Sequence, residues 1–261
     1  MNRRAIAFCF FAIATTCVHW RAAVAADAGA VAGVTGPSPV LPSAADGATL
    51  ETQLQIAASG KHADFHGEHA SNNARQVADW VVDSNDNRGL PFAIVDKIGA
   101  KVFVFDAGGR LRGAAPALLG LALGDDAVPG IGNRKMSSIR PDERTTPAGR
   151  FVAAMDRNIH GKEILWVNYE DAISMHPVIT TKPKERRAQR LATATPLDNR
   201  ISFGCINVPA QFFENVVRVA FTGTDGVVYV LPDTRSVREV FPAYSPERHA
   251  RLQAAIAPLT P

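Results

Sequence analysis

Short apolar runs closed by glycine-centred turns dominate residues 91–232, and that punctuation restricts the chain to a fold built mainly from β-strands with a few helices. Phe92 to Asp96 and Lys101 to Asp106 have the length and content of strands joined at Ile98-Gly99-Ala100, and Gly108-Gly109 turns the chain again into Leu111, which makes a meander. Further strand-like runs lie at Phe151 to Ala154, Ile164 to Val167, Ala172 to Met175 and Val227 to Leu231. Helical spacing is confined to two places. Ala74, Val77, Ala78 and Val81 recur on one stripe behind a cap at Ser71, and Pro209 opens a second helical stretch through Phe212, Val216, Val217 and Ala220. One globular domain with tails accounts for the 261 residues, and no internal repeat is present.

The two ends differ from this middle. Arg3-Arg4, an apolar stretch from Ala5 to Val18 and Ala23-Val24-Ala25 form the pattern of an export signal over residues 1–25, too short for a comfortable membrane span. Residues 26–70 are rich in Ala, Gly, Pro and Ser and read as a flexible linker, followed by a helix within 71–90 and, after the domain at 91–232, a tail at 233–261 with a helical pattern over Pro246 to Ala257. Cleavage after Ala25 would remove three of the 28 Lys and Arg residues and none of the 25 Asp and Glu, so the net charge of +3 falls to zero. A balance near neutrality argues against a nucleic-acid partner. His62, His66 and His69 would share one face of a helix, but Gly67 weakens that helix and no distant fourth ligand accompanies them, so no metal site is expected. Gly130-Ile131-Gly132 lacks the third glycine and helix entry of a dinucleotide site, and nothing else calls for a cofactor.

The same cleavage would remove Cys9 and Cys17 and leave Cys205 as the one thiol of an exported protein. An unpaired thiol in an oxidising compartment is a hazard unless it is used, which makes Cys205 a candidate nucleophile. Its thiolate needs a base or a positive neighbour, and His160, His176 and His249 are the histidines outside the signal and linker. His176 closes the alternating run Ala172-Ile173-Ser174-Met175, so a strand could deliver its ring; His160 precedes Gly161-Lys162 in a hairpin-like turn, and His249 falls in the tail. His176 is therefore preferred, with His160 the alternative. Around the thiol, the amides of Phe203, Gly204 and Cys205 are the oxyanion-hole candidates, and Gly204 fits a backbone that must approach another group closely. Ser202 and Asn207 either brace the turn or contact substrate.

Thr146-Pro147-Ala148-Gly149-Arg150-Phe151, a later histidine ending a strand, and Ser202-x-Gly204-Cys205-Ile206-Asn207 occur in that order, and with them the chain resembles the L,D-transpeptidase catalytic domain of bacterial cell-wall enzymes over roughly Pro91 to Pro232. The resemblance implies a β-sandwich or barrel, a periplasmic or wall-facing location, no cofactor, and acyl transfer on peptidoglycan stem peptides through Cys205 and His176. Three features depart from the family pattern. Pro177 follows the histidine where a glycine or serine is usual, Phe203 stands where another histidine is common, and the span from His176 to Cys205 is lengthened by an insertion at about Lys182 to Asn199. The basic residues of that insertion, Arg186 and Arg187 foremost, could form a lid that meets an anionic wall polymer. Competing readings are an L,D-carboxypeptidase or other thiol hydrolase, and a wall-binding domain without activity; reaction of Cys205 with a carbapenem-type acylating agent separates the last from the others.

Overall fold

The computed structural model describes residues 61–244. The signal-like segment with Cys9 and Cys17, most of the linker, His249 and the helical pattern over Pro246 to Ala257 lie outside the described residues. Among the described residues ten strands and five α-helical segments follow one another, and β-structure dominates as the turn pattern predicts. Helix α1 (Asn72–Ser84) starts where the Ser71 side chain accepts the Ala74 amide at 3.1 Å, taking up one of the amides a helix start leaves unpaired. It ends at Asn85 in the left-handed region, and the stripe Ala74, Val77, Ala78 and Val81 is buried.

Strands β1 (Phe92–Asp96), β2 (Lys101–Phe105) and β3 (Leu111–Pro116) form the expected meander. After the two-residue β4 (Leu119–Gly120) come β5 (Gly149–Arg157), β6 (Glu163–Asn168) and β7 (Ile173–Pro177), then helix α2 (Arg187–Ala192), and the short β8 (Arg200–Ser202) and β9 (Ile206–Val208). The helical stretch opened by Pro209 is α3 (Ala210–Phe212), a π-helical turn at Phe213–Val217 and α4 (Arg218–Phe221); β10 (Gly226–Val230) and α5 (Val237–Val240) complete the order.

Eight strands make one sheet in the order β3-β2-β1-β10-β5-β6-β7-β9, with β1–β10 and β7–β9 parallel, and β4 pairs with β8 separately. The backbone of Leu118, just beyond β3, exchanges hydrogen bonds with Asn207 of β9 at 2.8 and 2.9 Å, so the two edges of the sheet meet through this bridge and the sheet nearly closes. Strand β1 is apolar without alternation because both its faces are covered. Ala93 and Val95 face an inner core with Met175, Ile206, Val208, Phe213 and Phe221, while Phe92 and Ile94 face an outer core under α1.

Two boundaries differ from the sequence reading. Within the stretch read as linker, Asp64 bridges to Arg110 and Phe65 is buried edge-on against Phe103 and Phe105, a burial of about 2 kcal/mol. His62, His66 and His69 precede α1 rather than riding on a helix, with His62 Nδ1 3.2 Å from Asp79 and His66 Nδ1 3.4 Å from Asp64. Within the stretch read as tail, Phe241 and Tyr244 join the outer core. At the interior end, Lys97 is fully buried; its ammonium donates to Gly124 O, Asp125 Oδ1 and Thr146 O at 2.6–2.9 Å and lies 3.3 Å from Asp233.

Candidate active site

Strands β7 and β9 are parallel neighbours in the register Met175–Ile206, His176–Asn207 and Pro177–Val208. Alternation sends Ile173, Met175, Ile206 and Val208 into the inner core, which leaves Ser174, His176 and Asn207 on the opposite face. Cys205 stands immediately before β9 and is half-buried there. Its Sγ is 3.6 Å from Ser174 Oγ and 3.6 Å from the carbonyl oxygen of Ala172, a residue held in the left-handed region at φ 55.

The ring of His176 is held at both nitrogens. Nδ1 is 2.8 Å from the carbonyl oxygen of Pro177, which can only accept, so Nδ1 carries the proton of the neutral ring and Nε2 keeps the lone pair. Pro177 lacks an amide hydrogen but loses nothing as an acceptor. Asn207 Nδ2 lies 3.2 Å from Nε2 and 3.3 Å from the carbonyl oxygen of Cys205. Burial opposes charge on the His176 ring, yet the hydrogen bond and the attraction to the Cys205 sulfur outweigh it and raise the ring's pKa above its ordinary value. At Cys205 burial pushes the thiol up, and the hydrogen bond and charge of His176, with smaller help from Ser174, bring it below that of a free thiol. The two groups form one coupled acid–base pair.

The turn that presents the sulfur is braced from below. Ser202 Oγ donates to the Cys205 carbonyl at 2.6 Å and accepts the Gly204 amide at 3.1 Å. Buried Thr146 donates to the Gly204 carbonyl at 2.8 Å and accepts the Gly120 amide at 2.9 Å. Gly204 has φ 131, and a Cβ there would come within 2.7 Å of the Thr145 carbonyl oxygen and of Ile173 Cδ1. Only glycine fits. With the Gly204 amide spent on Ser202, the Phe203 and Cys205 amides are left as the donors of the turn. Phe203 lies under the Arg144 guanidinium, whose Cζ is 3.9 Å from the ring centroid.

Two open cavities meet at Cys205, Phe203 and Met136. One, about 220 Å³, is lined among others by His176, Thr181, Lys182, Glu185, Arg187 and Asn207; the second, about 200 Å³, by Arg134, Thr145, Asp171 and Ala172. The insertion supplies Arg187, which donates from Nη1 to Asn207 Oδ1 at 2.6 Å and pairs through Nε with Glu185, and its side chain is 13% exposed. Arg186 is exposed at the left-handed junction before α2 and lines neither cavity. His160 sits in the β5–β6 hairpin turn, where its amide is bound by Asn158 Oδ1, and it too lines neither cavity. Among the described residues no group of three or more His, Cys, Asp or Glu side chains could hold a metal ion, and no helix is long and apolar enough to cross a membrane.

No family model and no curated protein matches the chain. Solved structures do. The chain is similar to the helical cell shape determining protein Pgp2 from Campylobacter jejuni at 16% identity and a TM-score of 0.36, over 56% of this chain and 49% of that one. It is similar to the catalytic domain of the E. faecium L,D-transpeptidase at 15% identity and a TM-score of 0.33, over 54% of this chain and 95% of that one. An L,D-transpeptidase from Xylanimonas cellulosilytica gives 14% identity and a TM-score of 0.34, over 54% and 60%. The match thus spans about half the length of Pgp2. At these values the likenesses decide nothing about the reaction, which rests on the motif and the site.

Ser174 and the contact from Arg187 to Asn207 were not singled out in the sequence, and Thr146, named there as the start of a turn motif, gave no sign of its hydrogen bond to Gly204. Ser174 was within reach of pattern reasoning, because a residue two before His176 on a strand shares its face. Asn207 belongs to β9, and from that strand its side chain donates back to the Cys205 carbonyl of the turn.

Proposed function

We propose that this chain is an exported cysteine acyltransferase of the L,D-transpeptidase type, acting on peptidoglycan stem peptides in the cell envelope. The observation that carries the reading is the placing of Cys205 and His176 by the parallel strands β7 and β9 along one cavity that both line, with the thiol shifted down and the imidazole up from their ordinary values. His176 Nε2 takes the proton from Cys205, and the thiolate attacks the carbonyl carbon between the stem's diamino acid and its terminal D-alanine. The oxygen becomes negative in the tetrahedral intermediate and is met by the Phe203 and Cys205 amides, each worth on the order of 3 kcal/mol in comparable sites. The C–N bond then breaks, D-alanine leaves as an amine carrying the proton returned by His176, and a thioester remains on Cys205.

In the second half an amine of another stem attacks the thioester carbonyl and gives its proton to His176; the C–S bond breaks, and the departing sulfur takes that proton back from His176, re-forming the resting thiol and neutral imidazole. Water in place of the amine yields a trimmed peptide. The two cavities that meet at Cys205 give a donor and an acceptor separate approaches to one sulfur. Purified protein incubated with a disaccharide-tetrapeptide and followed by mass spectrometry is expected to lose D-alanine and form a cross-linked dimer, and Cys205→Ala to do neither. Loss of D-alanine without any dimer would make it a carboxypeptidase, and turnover in Cys205→Ala would end the thiol mechanism.

A further inference from the structure

An asparagine side chain presents an acceptor at one corner and a donor at the other, and which corner faces a histidine decides the protonation state the asparagine favours. Asn207 is 1% exposed, with its carboxamide enclosed by His176 Nε2, the Cys205 carbonyl and Arg187 Nη1. A guanidinium has five N–H donors and no acceptor, so the corner facing Arg187 is Oδ1. The other corner, Nδ2, then donates one hydrogen to the Cys205 carbonyl and one toward His176 Nε2. Were the amide reversed, Oδ1 would accept from Nε2–H and hold the ring as imidazolium.

Arg187 is itself fixed. Glu185 binds its Nε, and Arg190 of the same helix fastens the insertion by donating to the carbonyls of Glu185 and Asp198. The charged and titratable groups facing the ring are Cys205, from the turn before β9, and Arg187, from the insertion, with Glu185 and Lys182 farther round the same cavity.

We propose that Arg187 is a positioning residue which, by pinning the orientation of Asn207, keeps His176 neutral, with Nδ1 protonated and Nε2 without a proton. This rests on the Cys205–His176 pair assigned above, and it gives the insertion a role other than a lid. Through-space repulsion acts in the same direction, since the Arg187 charge lowers the affinity of the ring for a proton. A base must be unprotonated at working pH to accept the thiol proton, and a ring stabilised by a thiolate tends toward full protonation. Arg187 restrains that tendency.

The test is an NMR titration of the His176 ring with 15N labelling, in wild type, Arg187→Gln and Arg187→Lys. Gln can offer either corner and carries no charge; Lys retains the charge and can only donate. In Arg187→Gln the His176 titration is expected to move up by about one pH unit, and in Arg187→Lys to stay near wild type. A titration unmoved in a folded Arg187→Gln, or moved equally in both variants, overturns the proposal. Should Arg187→Gln fail to fold, Arg187→Ala, which offers Asn207 no partner and carries no charge, is read in the same way, with an upward move expected and an unmoved titration overturning the proposal. Neither readout involves a peptidoglycan substrate, so failure of the transpeptidase reading leaves this result standing, whereas a His176 titration unchanged by Cys205→Ala would remove the pair on which both depend.

Discussion

Gly204 has space for no side chain, and the obstacle on one side is a backbone oxygen that cannot rotate away. Gly204→Ala is expected to destabilise the fold by about 1–3 kcal/mol in thermal or urea unfolding and to slow alkylation of Cys205, because the turn must shift to admit a methyl group at positive φ. A stable variant with full thiol reactivity would show that the turn is looser than its contacts imply. One position earlier, the ring of Phe203 packs under the Arg144 guanidinium and forms an apolar wall shared by two cavities. The lowered thiol is a reactivity statement with a sign: alkylation should already be fast below the ~8.5 of an ordinary thiol, because thiolate forms there.

At the scale of elements, the site is a junction of pieces far apart in the chain. The Thr146 hydroxyl ties Gly120 of β4 to Gly204, and Thr146→Val should leave a buried carbonyl and a buried amide without a partner at a cost of about 1–3 kcal/mol, read as a drop in unfolding free energy with the strand order retained. Over the segment between β4 and β5, Glu143 is bound by both terminal nitrogens of Arg134, a second-cavity residue. The hydrogen bond from Arg134 and the amide of Arg140 hold its carboxyl down at about 2. The folded pKa is depressed, so this contribution is present above the ordinary carboxylate range and is lost as pH falls toward 2. Amide protection over residues 130–145, taken relative to the intrinsic exchange rate at each pH, should fall across that window, and Arg134→Gln should weaken this pH dependence.

The long strands and α1 were legible because their patterns are local: Ser71 caps, Ala74 to Val81 repeats, and Ile98-Gly99-Ala100 turns. Strands β4, β8 and β9 were not, since two or three residues carry no period and their pairing is set by distant partners, as when Leu119 meets Arg200 and Met175 meets Ile206. For the same reason the thiol and His176 could be named from order and strand ends, while the hold of Arg187 on Asn207 could not. A basic run in a sequence says nothing about which of its members turns inward; here Arg187 does and Arg186 does not.

For the whole molecule, one buried charge connects the closing ends of the fold to the site. Lys97 joins β1 to Gly124, Asp125, Thr146 and Asp233, and Arg200 adds a second cation at Asp233. Its removal leaves two buried carboxylates short of positive charge, so Lys97→Met is expected to cost about 3–5 kcal/mol and to lower the melting temperature strongly. An unchanged melting temperature would mean that the remaining donors to Asp125 suffice. The account as a whole stands on the imidazole that activates the sulfur, and the rate of Cys205 alkylation by iodoacetamide as a function of pH, followed by intact mass in wild type and His176→Ala, tests it most directly. The account predicts a wild-type inflexion below that of an ordinary thiol, moved up to or beyond it in His176→Ala with about tenfold or greater loss of rate at pH 7; superimposable profiles for the two proteins would contradict it.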